Sequence, residues 1–245
     1  MLDLQNKVAL VTGASRGIGR AITLALSAAG ASVAVNYRER VEEAEAVAER
    51  IRRGGRRAAT FGADVSLGIA VRSMVHDVEA ELGPIDILVN NAGMAAVRGL
   101  DDITEADFDQ ALAVNLKSAF LCTQAVLPGM RARQWGRIVN VSSIGARIGS
   151  GGVSVAYAAA KAGIEGLTRG YALRLASEGV SVNTVAPGLI ATEMGQPLID
   201  AGVTARIPMG RPGTGEEIAQ AVLLIIGNAF MTGQTIAVNG GALFS

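Results

Sequence analysis

Short β-branched apolar runs alternate with amphipathic helical stretches along the whole chain, and that alternation is what most restricts the folds open to it. The runs fall at 8–11, 32–36, 57–62, 85–90, 137–142, 180–185 and 235–238. Between them, 20–30, 41–53, 69–82, 105–133, 155–178 and 215–226 carry the helical period. Strands separated by helices cannot pair as hairpins. They pair in parallel through right-handed crossovers that cover both sheet faces. The expectation is one doubly wound α/β domain over 1–245, with a seven-stranded parallel sheet and no linker. A content of 50% hydrophobic residues supplies the core, while 4% aromatics and 31 glycines suit close helix-on-sheet packing.

Three stretches break the pattern, 91–104, 144–154 and 186–213, and each follows a strand. They therefore belong at the carboxyl edge of the sheet, where ligands bind in such folds. The third is long and rich in Gly and Pro, as expected of a segment that covers a substrate.

The loop after the first strand reads Thr12-Gly13-Ala14-Ser15-Arg16-Gly17-Ile18-Gly19 and opens the first helix. Glycines there allow a tight turn and close backbone approach, so that amide groups and the helix N-terminus can receive a pyrophosphate. Asp64-Val65 follows the third strand, where the acid could accept a hydrogen bond from an adenine amine. At the end of the fourth strand, Asn90-Asn91-Ala92-Gly93 is small enough for the chain to pass close to a cofactor.

Tyr157 and Lys161 lie four residues apart, which on a helix stacks a phenol and an ammonium on one face. An adjacent cation favours the phenolate. Bringing a phenol from a pKa of about 10 to about 7 requires about 4 kcal/mol of differential stabilisation, attainable only where water is largely excluded.

Charge excludes other classes. With 22 basic and 22 acidic residues the net charge is zero, so nothing global steers the chain to nucleic acid or an acidic membrane. The basic run from Arg50 to Arg57 follows Glu42, Glu43, Glu45 and Glu49, acid then base along one helix as the helix dipole favours. One cysteine, Cys122, and one histidine, His76, make no disulfide and no metal site. The N-terminus lacks a signal peptide, and no unbroken apolar run reaches the roughly 18 residues that span a bilayer. A soluble, cytoplasmic protein is expected.

Together the motifs resemble the short-chain dehydrogenase/reductase family, through the glycine loop, Asn90-Asn91-Ala92-Gly93, Asn115, Ser143, Tyr157-Ala158-Ala159-Ala160-Lys161 and Pro187-Gly188. Within it, Asn183 to Gly188 and Thr232 to Gly241 are similar to the β-ketoacyl-(acyl carrier protein) reductases. The resemblance implies a Rossmann-type catalytic domain with a nicotinamide dinucleotide held by Gly13, Ser15, Arg16, Gly17, Ile18, Gly19, Arg38, Asp64, Val65, Asn91, Ala92, Gly93, Tyr157, Lys161, Pro187, Gly188, Ile190 and Thr192. Family members that prefer NAD(H) carry an acid at the end of the second strand. This chain has Val35-Asn36-Tyr37-Arg38 there, and Arg16 and Arg38 suit a 2′-phosphate, so NADP(H) is expected over NAD(H).

The resemblance also implies that Tyr157 protonates a carbonyl oxygen, that Lys161 holds the nicotinamide ribose and lowers the tyrosine pKa, and that Asn115 holds a water linking Lys161 to solvent. Pro187-Gly188 would shape the wall beside the nicotinamide, with Ile190 and Thr192 at its carboxamide. Successive strand residues face opposite ways, so one of the neighbours Ser142 and Ser143 offers the hydroxyl that stabilises the developing alkoxide, and the serine-to-tyrosine spacing of the family favours Ser143. The implied reaction is reduction of a 3-oxoacyl thioester. A free ketone, sugar or secondary alcohol is the alternative substrate, and a non-catalytic NADP(H)-binding regulator a more distant one. Arg131 and Arg133 could meet an acidic acyl carrier protein, against which stand Glu178, where a basic residue is expected, and a short 194–208 stretch. The resemblance also implies that small residues on the long helices pack on a partner subunit, with the C-terminal strand making a second contact, in a homotetramer.

Overall fold

A computed structural model describes residues 2–96, 98–149 and 153–244. All seven strands form: β1 (Val8–Val11), β2 (Ser32–Tyr37), β3 (Ala58–Gly62), β4 (Ile85–Asn90), β5 (Gly136–Val141), β6 (Val180–Pro187) and β7 (Thr235–Val238). They make one parallel sheet in the order β3-β2-β1-β4-β5-β6-β7, with the reversal of direction between β1 and β4. β1, β4 and β6 are buried along their full length, which explains why they read as continuous apolar runs rather than alternating ones.

The helices are α1 (Gly17–Ala28), α2 (Val41–Arg53), α3 (Gly68–Glu81), α4 (Glu105–Leu112), α5 (Ser118–Ala132), α6 (Gly145–Ile148), α7 (Val155–Leu175), α8 (Gln196–Asp200) and α9 (Gly215–Gly227). Alternate strand residues divide the core in two. Val11, Val33, Val35, Ile87, Val89 and Val139 pack with α1, α2 and α9 on one face. Leu10, Leu88, Ile138 and Val182 pack with α3, α5 and the end of α7 on the other. Helix ends follow local chemistry. Thr104 with Asp107, and Thr214 with Glu217, close capping boxes on α4 and α9, and α2 starts on Glu42 and Glu43 and ends on Arg50, Arg52 and Arg53.

Three expectations change. The helix expected over 105–133 is interrupted by a π-helical turn, Ala113–Lys117, in which buried Asn115 turns its amide inward and donates to Ala111 O at 3.0 Å. Glu105–Ala132 is also long and apolar enough, by length and composition, to cross a bilayer. Uncharged Asn115, Ser118, Thr123 and Gln124 break the apolar run without lowering its mean hydropathy much, but the helix lies against β4, α3 and α7 within the fold. Finally, β6 continues through Pro187, pairing Ala186 and Pro187 with Ala237 and Val238, so the segment expected to start at 186 leaves the sheet only at Gly188. Of the 144–154 stretch, residues 150–152 lie outside the described residues.

Candidate active site and dinucleotide cradle

The glycine loop is shaped by contacts from two other strand ends. Thr12 Oγ1 accepts from Asn91 N at 3.0 Å and Ala92 N at 2.9 Å, while Asn91 Nδ2 donates back to Thr12 O at 2.9 Å and Gly13 O at 3.0 Å. Asn36 Oδ1 accepts from Gly13 N at 3.2 Å, and its Nδ2 donates to Phe61 O and Ala63 O. Three parallel strand ends are thus tied around one turn. Gly13 and Gly17 take φ of 60° and 54°, which favours glycine. A Cβ on Gly19 would lie 2.3 Å from Gly13 O, and one on Gly13 would lie 3.0 Å from Ala92 Cα. Ser15 is buried in the turn, and Ile18 packs against the core beneath it. Arg16 caps α1 with an extended backbone and no side-chain cap, and the first turn of α1 holds no acid. Its amide end is therefore open to an anion, and the cradle fits a dinucleotide pyrophosphate.

Asp64 Oδ1 accepts from Ser66 N at 2.9 Å and Ser66 Oγ at 2.7 Å. Burial works to raise its pKa, but those bonds and the charge of Arg38 hold it below the usual value, so it remains an acceptor. The Val65 side chain is buried in the core beside α3.

The reaction centre gathers from four segments. Ser154 caps α7 by accepting from Tyr157 N at 3.3 Å, which fixes the Tyr157 backbone in the first turn. Ser143 Oγ accepts from Gly145 N at 3.0 Å, and its hydroxyl lies close enough to the Tyr157 phenol to act on the phenol's pKa. Ser142 points the other way, is 3% exposed, and donates to Lys161 O at 2.9 Å, anchoring α7 to the sheet. Lys161 is 4% exposed and its Nζ donates to Val141 O at 2.8 Å. A Cβ on Gly93 would lie 2.9 Å from Asn115 Oδ1 and 3.5 Å from Lys161 Nζ, so the loop after β4, the π turn and α7 converge at that glycine. Asn115 clamps the loop in both directions: Oδ1 accepts from Met94 N and Nδ2 donates to Met94 O, each at 3.0 Å.

The electrostatics differ from the sequence expectation. Burial raises the Tyr157 pKa, and the neighbouring Ser143 hydroxyl only offsets this in part. Burial also pushes Lys161 down from 10.5 to about 8. The ammonium lies 5.7 Å from the phenol ring centroid and is directed at a backbone carbonyl, so desolvation of both groups outweighs their mutual effect. Tyr157 is therefore held as a protonated donor at neutral pH.

Beyond β6, Ile144 N donates to Pro187 O at 2.9 Å, and a Cβ on Gly188 would lie 2.8 Å from Asn239 Cα. Ile190 is buried in the core, in a bridge with Gly213, so its side chain is spent on packing. Thr192 reaches the glycine loop, its Cγ2 lying 3.4 Å from where a Gly17 Cβ would stand. Arg16 and Arg38 are not joined: Arg38 pairs with Glu39 at 2.6 Å, whereas Arg16 is linked through Glu193 to Arg40. Arg40, Glu193 and Asn36 were missed as site residues, although Arg38-Glu39-Arg40 offered Arg40 as openly as Arg38. Arg131 is paired with Glu178, and Arg133 donates to Ile85 O at 2.7 Å, at the amino ends of the strands, opposite Ser143 and Tyr157. Cys122 is buried and its thiol pushed up to about 12, an inert core group.

A doubly wound parallel sheet, a glycine cradle at its point of reversal, and a serine–tyrosine–lysine set with its lysine buried beside that cradle define a dinucleotide-dependent oxidoreductase. The short chain dehydrogenase family model matches residues 7–201. The chain is 42% identical over 241 residues to the 3-oxoacyl-[acyl-carrier-protein] reductase FabG of Staphylococcus epidermidis, covering 96% of this chain and 98% of that one. It is 41% identical to the reductase of the same name from Pseudomonas aeruginosa, over 100% of both chains. Among solved structures, a short-chain type dehydrogenase/reductase from Mycobacterium marinum superposes with a TM-score of 0.94 at 36% identity, covering 98% of this chain and 97% of that one. The chain belongs to the short-chain dehydrogenase family, and it is an oxidoreductase that uses a nicotinamide dinucleotide.

Proposed function

We propose that this enzyme reduces the 3-oxo group of an acyl thioester with NADPH. The observation that carries the reading is the Ser143 hydroxyl beside the Tyr157 phenol, next to buried Lys161, in a chain similar along its whole length to 3-oxoacyl-[acyl-carrier-protein] reductases. When bound, NADPH supplies the hydride. Ser143 donates to the carbonyl oxygen and stabilises the charge that develops there. Tyr157, kept protonated by burial, delivers its proton to the same oxygen, which becomes the alcohol. Lys161, an ammonium below its pKa of about 8, stabilises the phenolate left when Tyr157 gives up its proton and anchors the ribose. Asn115 holds the 91–94 loop against Lys161. The segment ending at Gly213 covers the substrate, and Asp64, with the backbone at Val65, meets the adenine.

NADP(H) over NAD(H) is supported by the absence of an acid at the end of β2 and by the arginines at 16, 38 and 40. A cytoplasmic homotetramer completes the reading, with exposed Phe108, Phe120, Val155 and Leu173 on α4, α5 and α7 as apolar surface for a second copy. The Arg131–Glu178 pair, at the strand ends away from Tyr157, favours a second reading for the substrate, a free ketone or secondary alcohol without a carrier. NADPH oxidation with acetoacetyl thioesters, carrier-bound and free, beside a panel of ketones tests both. Turnover of the ketones alone would overturn the thioester reading.

A further inference from the structure

The end of β2, the glycine loop and the segment after β6 meet at a single carboxylate oxygen. Glu193 Oε2 pairs with Arg16 Nη1 and, at 3.3 Å, with Arg40 Nη2. Arg16 caps α1, Arg40 precedes α2, and Glu193 follows Thr192, so the three residues come from widely separated parts of the chain. Arg40 also holds Glu43 Oε1 at 2.9 Å. Two guanidinium groups therefore face two carboxylates, and the cluster is neutral as it stands. All three members of the bridge are exposed, with side-chain accessibilities of 43–61%, so a soluble anion can compete for the arginines.

Arg38 is differently engaged. It pairs with Glu39, and its charge acts on Asp64. In a dinucleotide fold the ribose hydroxyls or 2′-phosphate lie at the end of β2, beside the glycine loop. Arg16 and Arg40, already drawn together across that gap, form the fork that a phosphate dianion would occupy. A carboxylate with one oxygen shared between two guanidiniums is a poorer ligand for the pair than a phosphate, which offers an oxygen to each.

We propose that Glu193 is a built-in stand-in for the 2′-phosphate: it holds Arg16 and Arg40 in position, and the phosphate displaces it, freeing the start of the 193–213 segment as the cofactor binds. The proposal rests on the NADP(H) reading and makes Arg40 and Glu193, rather than Arg38, the residues that set cofactor preference. Glu193 is placed to carry the signal. Thr192 O, next to it, accepts from Gly195 N and Gln196 N, both at 2.9 Å, at the start of α8, and the Thr192 side chain touches the glycine loop.

Calorimetry with adenosine 2′,5′-bisphosphate and adenosine 5′-monophosphate isolates the 2′-phosphate. In the unmodified enzyme the bisphosphate is expected to bind at least tenfold tighter. Equal binding would overturn the NADP(H) reading and this proposal with it. With that preference in place, Glu193→Gln is expected to tighten the bisphosphate at least threefold and leave the monophosphate within twofold. An unchanged or weaker bisphosphate affinity would overturn the role of Glu193 alone. Arg40→Met should erase the preference and Arg38→Met keep most of it, and the reverse order would again refute the proposal. Hydrogen exchange gives an independent readout: the bisphosphate should speed exchange at the Gly195 and Gln196 amides in the unmodified enzyme, whereas in Glu193→Gln it should already be fast. Slowed exchange at those amides in the unmodified enzyme would count against displacement.

Discussion

Replacing Lys161 by Met should abolish turnover and yet make the protein more stable at neutral pH. Lys161 is 4% exposed, its Nζ makes one hydrogen bond, to Val141 O at 2.8 Å, and burial alone moves its pKa from 10.5 to about 8. At about 1.4 kcal/mol per unit, keeping the ammonium charged in the folded protein costs about 3 kcal/mol relative to the unfolded chain. Met fills a similar volume without a charge. It forfeits the bond to Val141, worth about 1 kcal/mol, which leaves a net gain of about 2 kcal/mol. The pH dependence has a definite sign. Below about pH 8 the ammonium is present in both states and its penalty is complete. Between about 8 and 10.5 the folded enzyme has lost the proton that the unfolded chain still binds, so the stability of the unmodified enzyme rises with pH. The advantage of Lys161→Met should therefore be largest at pH 7 and be gone by about pH 10.5, where the lost bond leaves the variant less stable by up to about 1 kcal/mol. Urea unfolding of both proteins at the two pH values measures it. A variant less stable than the parent at pH 7, or a gap that does not close with pH, would refute the claim that desolvation governs this residue.

Other expectations use different readouts. Tyr157→Phe should bind NADPH within about twofold of the parent, by fluorescence titration, and lose most turnover, because only the transferable proton is removed. The serines should separate cleanly: Ser142→Ala, which loses the anchor to Lys161 O, should cost about 1 kcal/mol of stability, whereas Ser143→Ala should leave the urea midpoint nearly unchanged and cut kcat. Gly19→Ala places a Cβ 2.3 Å from Gly13 O and 2.5 Å from Asn91 Nδ2, forcing the loop apart at a cost of about 2–4 kcal/mol and weakening dinucleotide binding. Gly68→Ala, whose nearest contacts are ordinary at 3.4 Å, is the control and should stay within about 0.5 kcal/mol. The rate of carbonyl reduction should fall as pH rises above about 8, where Lys161 loses its proton, and a flat profile to about pH 10 would contradict that assignment.

Much of the site was legible in the chain because its signals are local. The glycine loop between first strand and first helix, the Tyr157 to Lys161 spacing, and the small residues after β4 each depend on a few consecutive residues. Local geometry cannot say which of two adjacent serines faces a helix and which faces a cleft. The packing of α7 decides that, by taking the Ser142 hydroxyl for the Lys161 carbonyl. The effect of Lys161 on Tyr157 was misjudged for a related reason: spacing shows that two groups are close, while their pKa values follow from how thoroughly the fold strips both of water. Arg38 and Arg40 are equivalent in sequence, and only the arrival of Glu193 from beyond β6 distinguishes them.

By itself the sequence determined the class of fold and the chemistry. Periodicity of two or 3.6 residues is a property of neighbouring positions, and seven apolar runs alternating with helices admit little besides a covered parallel sheet. Tertiary structure alone decided the strand order, the π turn that directs Asn115 at the 91–94 loop, the division of labour between Ser142 and Ser143, and the carboxylate between Arg16 and Arg40. Each of these rests on groups far apart in the chain. Their energies come from burial and from distances of a few ångströms, which exist only once the sheet has brought the segments together.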